Sequence, residues 1–215
     1  MKQGLTELVF ILDKSGSMGG LESDTIGGFN SMLTKQKTEA GEAIVTTALF
    51  DNNYELLHDR IDIQAVSPIT DEEYQVGGNT ALVDAIGMTI HKIKNAQKHT
   101  AEDCRPEKTL FVIITDGEEN ASREYTADRV KARIEYQKEK YGWEFIFLGA
   151  NIDAVQTARG FGIDAQNAQN YQADGVGVST SYAAISEAVS MFRGIGRTGK
   201  AWKNTVTKDF DKHKK

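Results

Sequence analysis

The sequence predicts a doubly wound, Rossmann-like α/β domain, in which a mostly parallel central sheet with one antiparallel edge strand has helices on both faces. Apolar runs of strand length, rich in β-branched and aromatic residues, recur along the chain, and segments with helical apolar spacing separate them. The runs are nearly continuous and do not alternate with polar residues. They are therefore typical of strands covered on both faces, as in parallel sheets with crossover helices.

The first half of the chain is predicted to run strand, helix, strand, strand. The apolar run LVFIL precedes Asp13, and Ile26, Phe29 and Leu33 then follow at three- or four-residue steps. The runs AIVTTALF and YELLHDRIDI are joined by residues 51–53, Asp-Asn-Asn, whose side chains favour a tight turn. We therefore expect these two runs to form an antiparallel pair at one edge of the sheet.

The second half is predicted to alternate helices with strands. TLFVIIT and EFIFLGA are the strand runs, and a last short strand precedes the final helix. Helices are expected from about Ala127 to Tyr141 and from about Asp153 to Arg159. Two further helices carry apolar stripes that we interpret as core. The stripes are Leu82, Ile86, Ile90 and Ile93, and Ile185, Ala188, Val189 and Phe192.

Length and charge restrict the class of protein. A chain of 215 residues with 40% hydrophobic content can bury a core within one domain, which we assign to residues 1–195, followed by a tail at residues 196–215. The formal charge is -6, although residues 197–215 contain seven Lys or Arg against two Asp or Glu. Nucleic-acid binding usually requires a basic surface, so we expect no nucleic-acid partner.

The basic tail at residues 196–215 also contains Trp202 and Phe210. Such an end is typically solvated and partly disordered; the alternative is that it docks on an acidic partner or on the acidic body of this protein. The segment GIGRTGKA at residues 194–201 matches glycine-rich phosphate-loop patterns. However, a predicted helix precedes it, and Ala201 stands where Ser or Thr would meet Mg²⁺. We therefore expect a flexible exit from the last helix there.

Cysteine content and hydropathy indicate the compartment. Cys104 is the only cysteine, so no internal disulfide can form. The apolar stretch near the amino terminus reaches Asp13 too early for a signal segment, and no run of about 18 apolar residues is present to cross a membrane. We expect a cytoplasmic protein with no membrane partner. The histidines have no ligand spacing and are expected at the surface: His58, His91, His99 and His213.

Three polar segments at the ends of predicted strands or the start of a helix offer oxygen ligands. Asp13 ends the first strand, and Ser15 and Ser17 follow at every second residue, so a curled loop can aim three oxygens at one point. Thr80 lies before a helix in QVGGNTALVDAI, and Asp116 ends a later strand in LFVIITDGEEN. Ligands of open parallel sheets bind outside the carboxyl ends of the strands, so we expect the three segments to share one crevice.

Hard oxygen ligands of this kind are those that Mg²⁺, Mn²⁺ and Ca²⁺ prefer. Taken singly, each segment also fits a structural role, because Asp and Ser after a strand are common capping and turn residues and TDG is a common turn. The conjunction of all three segments predicts a metal site. Oxygen ligands alone do not separate Mg²⁺ from Mn²⁺, whereas Ca²⁺ would expand the coordination shell.

The motifs DKSGS, GGNTAL and ITDG resemble, in type and in order, the metal-ion-dependent adhesion site of von Willebrand factor type A domains. The resemblance covers about residues 5–195. It implies that Asp13, Ser15, Ser17, Thr80 and Asp116 hold a divalent cation, with Mg²⁺ the first choice and Mn²⁺ or Ca²⁺ the alternatives. It further implies a protein-interaction module, in which an Asp or Glu of a partner protein binds to the cation.

An enzyme is the competing interpretation. A strand-end Asp beside a metal is also the phosphoryl-accepting nucleophile of haloacid-dehalogenase-like phosphatases, but that chemistry requires a second Asp two residues later, where Ser15 stands. The sequence contains neither a G-x-S-x-G motif around these serines nor H-E-x-x-H. Metal-dependent hydrolysis of a phosphoester at the same site remains the alternative. The prediction is a non-enzymatic interaction module.

Overall fold

A computed structural model describes residues 1–212 and gives a six-stranded sheet in the order β3-β2-β1-β4-β5-β6. All neighbouring strands are parallel except β2 and β3, which form the antiparallel pair at one edge. The predicted fold class is confirmed. The strands are β1 (Lys2–Asp13), β2 (Glu42–Phe50), β3 (Tyr54–Asp62), β4 (Pro106–Thr115), β5 (Glu144–Gly149) and β6 (Ala168–Asn170).

Helices cover both faces of the sheet. They are α1 (Glu22–Thr38), α2 (Leu82–His99), α3 (Ala127–Tyr141), α4 (Ala154–Gly160), α5 (Gly175–Ile195) and α6 (Lys203–Lys212). The bounds of α3 are those predicted, and α4 begins and ends one residue later than predicted. Among the helices of residues 1–212, none has both the length and the apolar content that a membrane span requires.

Strand β1 illustrates why the apolar runs are continuous. Its residues Leu8, Phe10 and Leu12 pack into one core cluster, with side chains of α1 and α5. Val9 and Ile11, which point to the opposite face, pack into a second cluster with side chains of α2 and α3. All five side chains are at most 1% exposed. A strand buried on both faces has no solvent-facing position, which accounts for the lack of polar alternation.

The helix pair α1 and α5 packs closely on one face. The rings of Phe29 and Tyr182 meet edge to face with centroids 6.4 Å apart. A Cβ atom at Gly28 would lie 2.5 Å from the Tyr182 ring. Glycine is therefore required where these helices cross.

Strand register places the ends of the central strands side by side. Asp13 lies opposite Phe50 of β2, and Leu12 lies opposite Ile114 of β4. The loops after β1 and β4 therefore leave the sheet at the same edge, which the two carboxylates predicted as ligands occupy.

The prediction that the tail is solvated is wrong for its described residues, 196–212. Thr198, Trp202 and Val206 are buried, and α6 packs against α5 and β6. Trp202 and Val206 are four residues apart, so the tail has an apolar helical stripe that its many basic residues obscure in the sequence. It docks on the body of the protein, as the alternative expected, through these buried side chains and through hydrogen bonds of Thr198 to Glu144 and of Lys203 to Ala165 O. Residues 213–215 of the tail lie outside the described residues.

The prediction that the histidines lie at the surface is wrong for His58. This side chain is 5% exposed, and its Nδ1 lies 3.0 Å from Thr47 Oγ1 of the neighbouring strand. Burial lowers the pKa of His58. His91 and His99 are exposed as expected, and His213 is outside the described part of the chain.

Candidate metal centre

The structure brings the five predicted ligands together at the carboxyl edge of the sheet. The hydroxyl of Thr80 donates to Ser15 Oγ at 3.0 Å, and Ser15 Oγ lies 3.1 Å from Ser17 Oγ. Ser17 in turn donates to Asp116 Oδ1 at 2.6 Å. Asp13 joins the group through its Oδ1, which accepts the Ser15 N–H at 2.7 Å. Three separate segments of the chain thus place their oxygens around one point.

Backbone hydrogen bonds hold the first two segments against each other. Gly16 N donates to Gly78 O at 3.1 Å, and Gly77 N donates to Lys14 O at 2.9 Å. The buried Tyr74 hydroxyl donates to the carbonyl oxygen of Asp13. Gly78 has a φ of +72° and lies against the Asn52 side chain, so a larger residue would be both strained and obstructed.

The third segment is attached to the second by a reciprocal pair of hydrogen bonds. Thr80 N donates to Asn120 Oδ1 at 2.9 Å, and Asn120 N donates to Thr80 O at 3.1 Å. Asn151 donates from Nδ2 to the carbonyl oxygen of Asp116 at 3.2 Å. These contacts fix the two loops independently of any ligand.

Gly117 leaves open the space between two of the predicted ligands. A Cβ atom at this position would lie 3.1 Å from Ser17 Oγ and 3.2 Å from Thr80 Oγ1. Any side chain would therefore enter the gap between these hydroxyls. A glycine that keeps this gap open fits a site that accommodates an ion.

Four of the five predicted ligands are almost completely buried, with exposures of 1% to 3%, while Ser17 is exposed. Burial raises the pKa of Asp13, although the Ser15 and Thr115 side chains donate to it. Burial also raises the pKa of Asp116, against the hydrogen bond from Ser17, and the charge of Asp13 raises it further. Within residues 1–212 neither carboxylate is part of an ion pair.

Asp116 Oδ2 is the atom of this cluster whose surroundings most favour a cation. This oxygen is buried and has no hydrogen-bond partner among the described residues. A buried carboxylate oxygen without a partner is costly unless a positive charge approaches it. Two carboxylates and three hydroxyls form an all-oxygen donor set that fits a hard divalent cation, Mg²⁺, Mn²⁺ or Ca²⁺.

Sequence reasoning missed the residues that support the ligands. Thr115 donates its hydroxyl to Asp13 Oδ2, and Asn120, Tyr74, Asn151 and Gly117 act as described above. Thr115 and Gly117 flank Asp116 in the ITDG motif, so this motif contained a usable signal. Tyr74 and Asn151 come from distant segments, and their role depends on the tertiary fold alone.

Comparison with known proteins identifies the fold. No protein-family model and no curated protein matches the sequence. A von Willebrand factor type A protein from Catenulispora acidiphila superposes with a TM-score of 0.58 at 14% identity, covering 86% of this chain and 42% of that chain. Manganese-loaded TRAP protein from Plasmodium vivax gives a TM-score of 0.59 at 18% identity, covering 83% and 72%.

A third similar structure is the ArnB paralog VWA2 from Sulfolobus acidocaldarius, with a TM-score of 0.50 at 15% identity, covering 83% of this chain and 44% of that one. The chain thus spans less than half of the length of two of these three proteins. At such identities the similarity concerns the fold, and it agrees with the mostly parallel sheet and its antiparallel edge strand. The chain has the von Willebrand factor type A fold.

Proposed function

We propose that this chain is a divalent-metal-dependent protein-interaction module that binds an acidic side chain of a partner protein. Asp13, Ser15, Ser17, Thr80 and Asp116 would hold the cation. The observation that carries the proposal is the buried Asp116 Oδ2, which has no partner among residues 1–212 and lies beside a cluster of hydroxyls. Mg²⁺ is the first choice, and the manganese in the similar TRAP structure supports a divalent cation.

The donor set explains why such a site would bind a carboxylate. Asp13 and Asp116 supply two negative charges, whereas the three hydroxyls are neutral and donate little electron density. A divalent cation bound here would supply a positive centre with an incomplete coordination shell, which favours an additional anionic oxygen. Ser17 is the exposed member of the set, so an Asp or Glu of a partner would approach from its side.

The same arrangement favours binding over catalysis. The position two residues after Asp13 holds Ser15, whose hydroxyl is engaged with Thr80 and Ser17. A phosphoryl-transfer enzyme would need an acid there to protonate the leaving group. We therefore propose a non-enzymatic role. From the sequence we further propose that this role is in the cytoplasm, with a protein partner and without nucleic acid.

Calorimetric titration of the chelator-stripped protein with Mg²⁺, Mn²⁺ and Ca²⁺ tests the metal site. We expect saturable binding that is lost in a Ser15→Ala/Ser17→Ala variant. The matched control is Ser31→Ala/Ser179→Ala, which changes two exposed serines on α1 and α5 and should bind as the wild type does. Absence of binding in the wild type, or equal binding in both variants, would contradict the metal site.

Selection from a random peptide display library tests the second half of the proposal. The immobilised protein is presented with Mg²⁺ in one arm and with EDTA in the other. We expect the Mg²⁺ arm to enrich peptides with an essential Asp or Glu, which lose binding when that residue becomes Asn or Gln. Enrichment that is equal in EDTA, or that does not depend on an acidic residue, would count against a carboxylate ligand.

A further inference from the structure

A second cavity lies at the opposite edge of the sheet from the candidate metal centre. It is formed where β1 and β4 begin and where α2 and α3 end, and it has a volume of about 380 Å³. Sites for small molecules typically have volumes of about 300 to 1,000 Å³. We call it the basal cavity, and define it by Lys94, Gln97, Lys98, Gln137, Tyr141 and Trp143 in its lining.

Two glutamines on the floor of the basal cavity offer hydrogen-bond acceptors. Gln137 is 2% exposed, and its Oε1 has no hydrogen-bond partner among residues 1–212. Gln97 donates from Nε2 to Glu7 Oε2 at 2.8 Å and to Thr109 Oγ1 at 2.9 Å. Both of its amide protons are thereby used, so Gln97 can offer a ligand only its carbonyl oxygen. A ligand with an amino group would satisfy this floor.

Aromatic side chains form part of the wall. Trp143 is 3% exposed and stacks on Phe111 with ring centroids 5.2 Å apart and planes inclined by 21°. This contact fixes the indole ring. Tyr141 is 51% exposed at the end of α3. A wall with one fixed ring, Trp143, and one accessible ring, Tyr141, favours planar heterocycles, because stacking contributes regardless of which base is bound.

The lining of the basal cavity carries four cationic side chains and two carboxylates, so it has a net positive charge although the protein as a whole is acidic. The cations are Lys94, Lys98, Arg105 and Lys140, and the carboxylates are Glu102 and Glu107. Lys94 and Lys98 are exposed on the last turns of α2, and in the described part of the chain neither forms an ion pair. The other two cations are partly engaged. Arg105 donates from Nε to Thr100 O at 2.8 Å, and Lys140 donates from Nζ to Tyr136 Oη at 2.8 Å. The two free lysines are therefore available to an anionic group.

We propose that the basal cavity binds a nucleotide whose base carries an amino group, with adenine nucleotides the first choice. The amino group would donate to the oxygens of Gln137 and Gln97, the base would lie against the aromatic wall, and the phosphate would meet Lys94 and Lys98. The proposal is independent of the candidate metal centre, which lies at the other edge of the sheet. It also does not involve the glycine-rich segment at residues 194–201.

Equilibrium dialysis with radiolabelled AMP tests this site, with adenosine and inorganic phosphate as separate probes for the two halves of the ligand. EDTA is present throughout, so that phosphate cannot bind through a metal at the other edge. We expect saturable binding of AMP that is tighter than that of either adenosine or phosphate. Saturable AMP binding should persist in the Ser15→Ala/Ser17→Ala variant, which keeps this test separate from that of the proposed function.

Two variants of the basal cavity complete the test. Gln137→Leu removes an unpartnered buried polar group, so the variant should fold at least as well as the wild type and bind AMP about tenfold more weakly. Lys94→Gln/Lys98→Gln should weaken AMP binding but leave adenosine binding unchanged. The matched controls, Gln156→Leu and Lys35→Gln, change exposed residues of α4 and α1 and should bind normally.

Failure of the wild type to bind AMP at millimolar concentration would overturn the proposal. AMP binding that is unchanged in the folded Gln137→Leu variant, as judged by its thermal melting, would overturn it as well. If inorganic phosphate bound as tightly as AMP, the cavity would be a general anion site and the nucleotide assignment would be wrong.

Discussion

Two buried carboxylates on the same strand, Glu7 and Asp13 of β1, differ in how their charges are compensated. Glu7 is 0% exposed and accepts from Arg60 Nε at 2.7 Å and from Gln97 at 2.8 Å. Asp13 is 1% exposed and accepts from neutral groups, which include the Ser15 N–H and the Thr115 hydroxyl. Burial raises the pKa of both carboxyls, but Arg60 opposes the increase at Glu7.

The difference separates a carboxylate with a structural role from one that we propose to hold a cation. At the amino end of β1 the protein supplies its own cation, and Glu7 ties β1 to β3 and α2. At the carboxyl end Asp13 and the nearby Asp116 share no cation from residues 1–212, and Asp116 Oδ2 has no partner there. A buried charge without compensation is retained at a cost in stability, and a bound cation offsets that cost.

Removing the cation that compensates Glu7 should have the largest effect on stability. Arg60→Met leaves the Glu7 carboxylate buried without its cation, and we expect the free energy of unfolding at pH 7 to fall by about 3–5 kcal/mol, as measured by urea denaturation. Adding Glu7→Gln to the Arg60→Met variant should restore much of the lost stability. The control is Lys92→Met, which removes the exposed ion pair between Lys92 of α2 and Asp59 of β3. This variant should lose no more than about 1 kcal/mol of stability. Equal losses in both single variants would contradict the comparison.

Supplying a cation to the candidate metal centre should have the next largest effect on stability. Mg²⁺ at 100 times its dissociation constant should raise the free energy of unfolding of the wild type by about 2.7 kcal/mol, because only the folded chain binds it. Thermal or urea unfolding with Mg²⁺ and with EDTA measures the increment. It should vanish in Ser15→Ala/Ser17→Ala and persist in Gln137→Leu. An increment that survives the serine substitutions would place the stabilising ion elsewhere.

The pH dependence of stability should reveal the uncompensated carboxylate in the absence of metal. The folded protein raises the pKa of Asp116 above its ordinary value of 3.8, so its protonated form is favoured on folding. The stability that this shift contributes is present in full at pH values below 3.8. It is lost as the pH rises through the pKa of Asp116 in the folded protein.

Asp116→Asn removes that loss. In EDTA the variant should therefore gain stability relative to the wild type as the pH is raised from below 3.8 to 7, whereas in Mg²⁺ the wild type should be the more stable of the two at pH 7. Urea denaturation across this pH range measures both differences. A relative stability of the two proteins that does not change with pH in EDTA would show that the Asp116 charge carries no such cost.

The sequence predicted which side chains meet at the carboxyl end of β1, but it did not predict the ion pair at the amino end, for a physical reason. Asp13, Ser15 and Ser17 lie within one loop, and each of the other two predicted ligands adjoins a strand or helix that hydrophobic periodicity identifies. The register between β1 and β4 then brings them together. By contrast, the pairing of Glu7 with Arg60 depends on which strands are neighbours and on a β-bulge in β3, where Arg60 has a φ of 53°.

The basal cavity and the docked tail were also beyond reach of the sequence. Gln97 and Gln137 look like ordinary polar positions on amphipathic helices, because their burial depends on where α2 and α3 end above the sheet. In the tail, the charges of Lys200, Lys203 and Lys208 hide the apolar stripe of Trp202 and Val206, which is buried only because α5 and β6 offer it a surface. Local sequence patterns predict helices and strands, whereas contacts between distant segments depend on the whole fold.

The smallest expected effect distinguishes ligand from nucleophile at the uncompensated end. If Asp13 serves to hold a cation, p-nitrophenyl phosphate with Mg²⁺ should be hydrolysed no faster by the wild type than by Asp13→Ala. The Asp13 oxygens already accept from Ser15 N and the Thr115 hydroxyl, and these hydrogen bonds reduce their nucleophilicity. A steady-state assay with both proteins measures the difference. Turnover by the wild type that Asp13→Ala abolishes would make the carboxylate a catalytic group and the interaction module an enzyme.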